Sequence, residues 1–141
     1  MGNSQSIQKI NFEDIQFVLK NKEAFILINT LKESEQECLI SGTIGIHKEI
    51  ELINHCLKNG KKHIKIIIYG KNSNDEKIYE KYGQLSSLGF YNIYIYCGGL
   101  FEWLLLQDIY GKELFPTTKK ELDILKYKPN QMLNIALLEY K

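Results

Sequence analysis

Two short, nearly uninterrupted apolar runs, residues 63–69 and 92–96, stand on either side of a stretch with helical spacing. Runs of this kind are buried strands, and two joined by one helix make a βαβ unit, with parallel strands whose C-terminal ends share one sheet edge. That edge carries the site in folds built this way. Upstream, Asn11 heads a short amphipathic helix in which Glu13 and Asp14 occupy the first turn and Phe12, Ile15 and Leu19 share a face. Residues 24–28 read as another buried strand, and 39–44 as a short one around Gly42. From 47 to 57 apolar positions recur at helical spacing until Asn59-Gly60 stops the helix. After Gly70, Ser73 and Glu76 form a capping-box signature, predicting a helix that begins three residues past the glycine with Asp75 and Glu76 on its positive end.

Gly98-Gly99 then turn the chain into an apolar helix over 101–106 that ends at Gln107, with Trp103 in the core. Pro116 enforces an extended connection, and 119–125 predicts a short helix capped by Thr117 or Thr118. A break at Pro129 leads to an apolar end with Met132, Leu133, Ile135, Leu137 and Leu138, read as packing across the domain in preference to forming a partner surface. The alternation predicts an α/β domain: a mostly parallel sheet of about four or five short strands with helices on both faces.

At 141 residues one domain is expected, large enough to bury a core without disulfides or metals. A net charge of +1 provides no field to recruit nucleic acid. Cys38, Cys56 and Cys97 are too few and too irregularly spaced for a disulfide framework, which points to a reducing interior. With no apolar window long enough to span a bilayer and no signal-peptide core, the chain reads as soluble and cytoplasmic. The N-terminus modifies that picture: Met1-Gly2-Asn3-Ser4-Gln5-Ser6 fits the N-myristoylation pattern, with Gly2 as the acceptor. A single acyl chain gives only reversible membrane contact, and the first nineteen residues supply just one base, Lys9, and no cysteine as a second anchor.

Several residues inside the βαβ frame point to a family. Ile68-Tyr69 at the strand end, Leu85-Ser-Ser-Leu-Gly89-Phe90-Tyr-Asn92-Ile93, and Gly98-Gly99 followed by Trp103 occur in an order and spacing that resembles the rhodanese-like domain, over roughly residues 7–117. The resemblance implies a three-layer α/β domain, read as residues 9–118 after a flexible segment, 1–8; the C-terminal extension, 119–141, lies beyond the resemblance and is read as packed on the domain. It also implies a cysteine directly after the strand, heading a loop of inward-pointing backbone N–H groups closed by an arginine, where a persulfide and an anionic sulfur donor are held. Here that position is Gly70, the loop continues Lys71, Asn72, Ser73 and Asn74, and all 18 basic residues are lysines. The aspartate and arginine that brace the loop in the family correspond to Asn29 and Leu31, and a histidine on the neighbouring strand corresponds to Leu39.

The loop therefore reads as unsuited to thiosulfate, phosphate or a persulfide: its helix end is met by the chain's own carboxylates, and Lys71 is a flexible point charge, not a planar fork. Cys97 is the one candidate for an alternative thiol chemistry, because it lies at a strand end just before a helix; the plainer reading is an inert thiol packed under the glycine turn. His47, Glu51 and His55 recur four apart and could share a helix face, but two imidazoles and one carboxylate on an amphipathic helix more often form a solvated face, so no metal or cofactor is called for. The expected function is a catalytically inactive rhodanese-like domain serving as a protein-interaction or scaffold module, with reversible membrane contact through a lipid on Gly2. The competing class is a sulfurtransferase or thiol-redox enzyme using Cys97, and a weaker third is a small-molecule sensor using the loop.

Overall fold

A computed structural model describes residues 6–133. Four strands form one all-parallel sheet in the order β1-β4-β3-β2: β1 (Gln8–Ile10), β2 (Phe25–Asn29), β3 (Lys65–Tyr69) and β4 (Ile93–Tyr96). The helices are α1 (Phe12–Lys20), α2 (Ile46–Lys58), α3 (Lys77–Ser87) and α4 (Gly99–Tyr110). Because β2, β3 and β4 are covered on both sides, their side chains alternate between two cores, whereas Gln8 and Lys9 of β1 are exposed. Leu27, Ile67, Tyr69 and Tyr96 meet Ile15 and Val18 of α1 and Leu100, Trp103 and Leu104 of α4. Ile26, Ile28, Ile66, Ile68, Ile93 and Ile95 meet Ile53 and Cys56 of α2 and Ile78 and Leu85 of α3. The expected three-layer α/β arrangement is thus the one observed.

Local chemistry explains two of the helix ends. Asn11 accepts from the Glu13 and Asp14 amides while Asp14 accepts from the Asn11 amide, closing a capping box on α1. Asn59 caps α2, and Gly60 follows at φ +66°.

Several sequence expectations need correction. The strand expected over 63–69 begins at Lys65, because the chain turns at Lys62 and His63, where the His63 carbonyl accepts from the Asn92 side chain. The chain expected to be flexible as far as residue 8 has Gln8 already paired beside Tyr94. Residues 39–44 make only isolated bridges, Ile40 to Thr117 and Ile44 to Ile28, on either side of Gly42 at φ +85°. Gln107 does not end α4: its side chain donates to the Phe115 carbonyl and the Thr117 hydroxyl, and the helix runs on to Tyr110 and Gly111 at φ +99°.

The helix expected over 119–125 is absent. Thr118 spends its hydroxyl on the Glu37 carbonyl and the Leu39 amide, and its own amide bonds the Leu39 carbonyl, so the chain runs on irregularly, with bends at residues 118, 119 and 122, until a 3₁₀ turn at Ile124–Tyr127. That turn buries Tyr127 among the side chains of the α1 and α4 face. Gly2 and the apolar residues Ile135, Leu137 and Leu138 lie outside the described residues. Among the described residues, no helix is long and apolar enough to cross a membrane.

Candidate functional site

The C-terminal ends of β2, β3 and β4 meet at Asn29, Tyr69 and Tyr96, which are in register. The segment leaving β3 lies directly on the start of α4. The Leu100 and Phe101 amides donate to the Gly70 and Lys71 carbonyls, each at 2.9 Å. This approach is close because residue 99 is glycine: it sits at φ +69°, and a Cβ there would lie 2.7 Å from the Gly70 carbonyl oxygen and 3.0 Å from the Asn72 nitrogen. The Gly98-Gly99 pair thus supports the loop through Gly99.

The loop folds around a carboxylate of its own. One oxygen of Asp75, Oδ2, accepts from the Lys71 amide and the Thr30 hydroxyl, each at 3.0 Å, and Oδ1 accepts from the Lys77 amide at 2.9 Å. The capping box expected from Ser73 and Glu76 does not form. Asp75 supplies the side-chain acceptor instead, because Asn72 Oδ1 and the Asn72 carbonyl take the Asn74 and Asp75 amides and bend residues 72–75 into a turn ahead of α3. The negative charge expected at this helix end is present on Asp75.

Gly70 lies directly against this carboxylate. A Cβ at position 70 would fall 2.4 Å from Asp75 Oδ2 and 2.9 Å from Thr30 Oγ1. Lys71 turns its ammonium outward to Glu35 at 3.0 Å. Partial burial pushes the Glu35 carboxyl up, but the hydrogen bonds and charge of Lys71 and the Lys32 amide outweigh it and hold the group below the usual glutamate range. A cavity of about 220 Å³ remains outside the carboxylate, lined by Thr30, Lys71, Asn74 and Asp75 and walled by Lys128 and Pro129.

Two supports of the loop are not apparent from sequence patterns. Asn29, 1% exposed, forms a reciprocal amide pair with Gln36: its Oδ1 accepts from Gln36 Nε2 at 2.8 Å and from the Leu31 amide at 3.0 Å, and its Nδ2 donates to Gln36 Oε1 at 3.2 Å. A neutral amide pair therefore stands where the resemblance implies an aspartate and an arginine, and Leu31 is simply core. Thr30 is the second support. Its position just past β2 beside the β3 end was the available signal. Tyr69, fully buried, accepts from the Ile40 amide at 3.1 Å and hydrogen-bonds Thr43 Oγ1 at 2.8 Å, fixing the 39–44 segment; burial pushes its phenol well above the usual range.

Cys97 follows β4 and packs half-buried against the α2 and α3 face, with no hydrogen-bond partner among the described residues. Cys38 is buried and donates to the Lys119 carbonyl, and its burial pushes the thiol pKa up. On α2, His47 faces Glu33 at 3.5 Å and His55 faces Asn59, both in solvent. No group of three His, Cys, Asp or Glu side chains among the described residues is placed to hold a metal.

The fold that these elements build is rhodanese-like. The chain is similar to the rhodanese-like domain of an Anabaena protein solved by NMR, at 24% identity over 91% of this chain and 88% of that one, with a TM-score of 0.56. It is similar to a single-domain sulfurtransferase of Saccharomyces cerevisiae at 14% identity, covering 81% and 99% of the two chains, with a TM-score of 0.58. A yeast protein tyrosine phosphatase of the rhodanese family matches at 12% identity over 86% and 99%, with a TM-score of 0.57. At these identities the likeness is one of fold. No protein-family profile and no curated protein matches the sequence.

Proposed function

We propose that this chain is a rhodanese-like domain without sulfur-transfer activity that serves as a protein-interaction module. The observation that carries the reading is at position 70, where the resemblance calls for the nucleophile: the residue is glycine, and the space a side chain would need is occupied by Asp75 Oδ2. A thiolate and an incoming anion both need that volume and the Lys71 amide, and an acceptor-only carboxylate denies both by repulsion as well as contact. Exposed apolar side chains outside the loop, Ile109 on α4 and Leu122 and Leu125 after it, support a role in contacts with other proteins. A lipid on Gly2 would bring the module reversibly to membranes.

Thiosulfate:cyanide sulfurtransfer assayed on the wild-type protein and on Cys97→Ser tests this reading. We expect no turnover above buffer for either. Turnover that disappears in Cys97→Ser would replace it with thiol chemistry at the β4 end. Intact mass of protein made in cells able to N-acylate, with Gly2→Ala as reference, tests the lipid.

A further inference from the structure

Among the described residues, the C-terminal extension is hydrogen-bonded to the loop through the buried side-chain amide of Asn72. Asn72, 8% exposed, donates from Nδ2 to the Tyr127 carbonyl at 2.8 Å, across 55 positions of sequence, while its Oδ1 accepts from the Asn74 amide at 2.9 Å. One end of the side chain therefore holds the extension and the other holds the loop. Asn72 cannot easily retreat, because its backbone lies against Gly99. On the extension side, Tyr127 is 1% exposed with its ring in the α1 and α4 core, and the 3₁₀ turn around it is closed by the Lys128 amide bonding the Leu125 carbonyl at 3.1 Å. Past that anchor, Lys128, Pro129 and Asn130 form the wall of the cavity outside Asp75.

We propose that residues 123–130 are a strap over the loop and that Asn72 is its latch, so that the C-terminal extension and the loop at Gly70 open and close together. The coupling is reciprocal by necessity: whatever loosens the loop loosens the strap, and a partner that draws the extension away loosens the loop. The strap would thereby make a loop without chemistry of its own a responsive surface. Asn72 carries this coupling and position 70 does not, so the strap stands whether or not the domain transfers sulfur.

Asn72→Asp separates the two ends of the latch. It keeps an oxygen for the Asn74 amide and places a second acceptor against the Tyr127 carbonyl, breaking only the strap side. Amide hydrogen exchange on the full chain is the readout. We expect the strap amides of Lys126 and Lys128 and the loop amides of Lys71, Asn74 and Asp75 to exchange about tenfold faster or more, with the β3 amides of residues 66–69 unchanged. Tyr127→Ala perturbs the same latch from the other end and should speed the loop amides likewise. Faster strap exchange with wild-type loop protection, in either variant, would show that the extension is mere packing and overturn the proposal. Uniform acceleration that includes β3 in both variants would also overturn it, because the latch would then be inseparable from the core.

Discussion

Replacing Gly70 by alanine tests directly how the loop is filled. Gly70 is not among the glycines with positive φ, so its backbone admits a side chain. Where a Gly→Ala change meets no obstacle it stabilises by about 0.4–1 kcal/mol, by narrowing the unfolded ensemble. Here the new methyl would sit 2.4 Å from Asp75 Oδ2 and 2.9 Å from Thr30 Oγ1. The carboxylate is short and held by Lys71, Thr30 and Lys77, so it can make room only by giving up those donors. Hydrogen bonds to a charged acceptor are worth about 1.5–3 kcal/mol each, and because the loop is partly solvated we expect a net loss of about 2–4 kcal/mol. At roughly 2–4 °C per kcal/mol for a domain near this size, the melting temperature should fall by about 4–16 °C. The companion variant Asp75→Gly should lose a similar amount alone, yet adding Gly70→Ala to it should cost nothing further or restore some stability. Calorimetry or urea titration of the four proteins reads the coupling as a double-mutant cycle. Wild-type stability in Gly70→Ala, or losses that simply add in the double variant, would refute the reasoning.

Other variants probe neighbouring supports. Gly99→Ala places a β-carbon 2.7 Å from the Gly70 carbonyl at φ +69° and should cost about 3 kcal/mol or more in urea unfolding. Gly83→Ala, inside α3 with nothing within 4 Å, should gain up to about 1 kcal/mol in the same assay. Tyr69→Phe removes the partner of the buried Ile40 amide and should cost about 1–3 kcal/mol at neutral pH. Because burial raises the folded phenol pKa, the Tyr69 contribution is full below the unfolded value of about 10 and is lost as pH climbs above it, so the alkaline decline in urea midpoint should be shallower in Tyr69→Phe. The Glu35 carboxyl behaves oppositely. Its folded pKa lies below the unfolded value of about 4.3, so its contribution is present at neutral pH and fades as pH falls through the folded value. Glu35→Gln should flatten the acid side of the stability profile by less than about 1 kcal/mol, since Glu35 and Lys71 both keep contact with solvent.

The strands were legible because both faces of the sheet are covered, which leaves runs such as Ile66, Ile67 and Ile68 with no polar position to confuse the reading. The helix ends were legible only where the cap is local. Asn11, with partners two and three residues away, was readable, whereas Ser73 and Thr118 carry the right side chains and cap nothing. What decides between Ser73 and Asp75 is remote: Thr30, 45 positions away, holds the Asp75 carboxylate, and Tyr127, 55 positions away, holds the Asn72 turn that places it. A rule confined to four residues cannot weigh either contact. The negative charge at the loop was nevertheless foreseeable, since Asp75 was one of the two acids placed at that helix end. That residue 70 is glycine is written in one letter, but the packing of Asp75 against it requires the whole edge of the sheet. It follows that a cysteine introduced at 70 alone would meet the same carboxylate that alanine meets. Any attempt to open this loop to an anion must begin with Asp75.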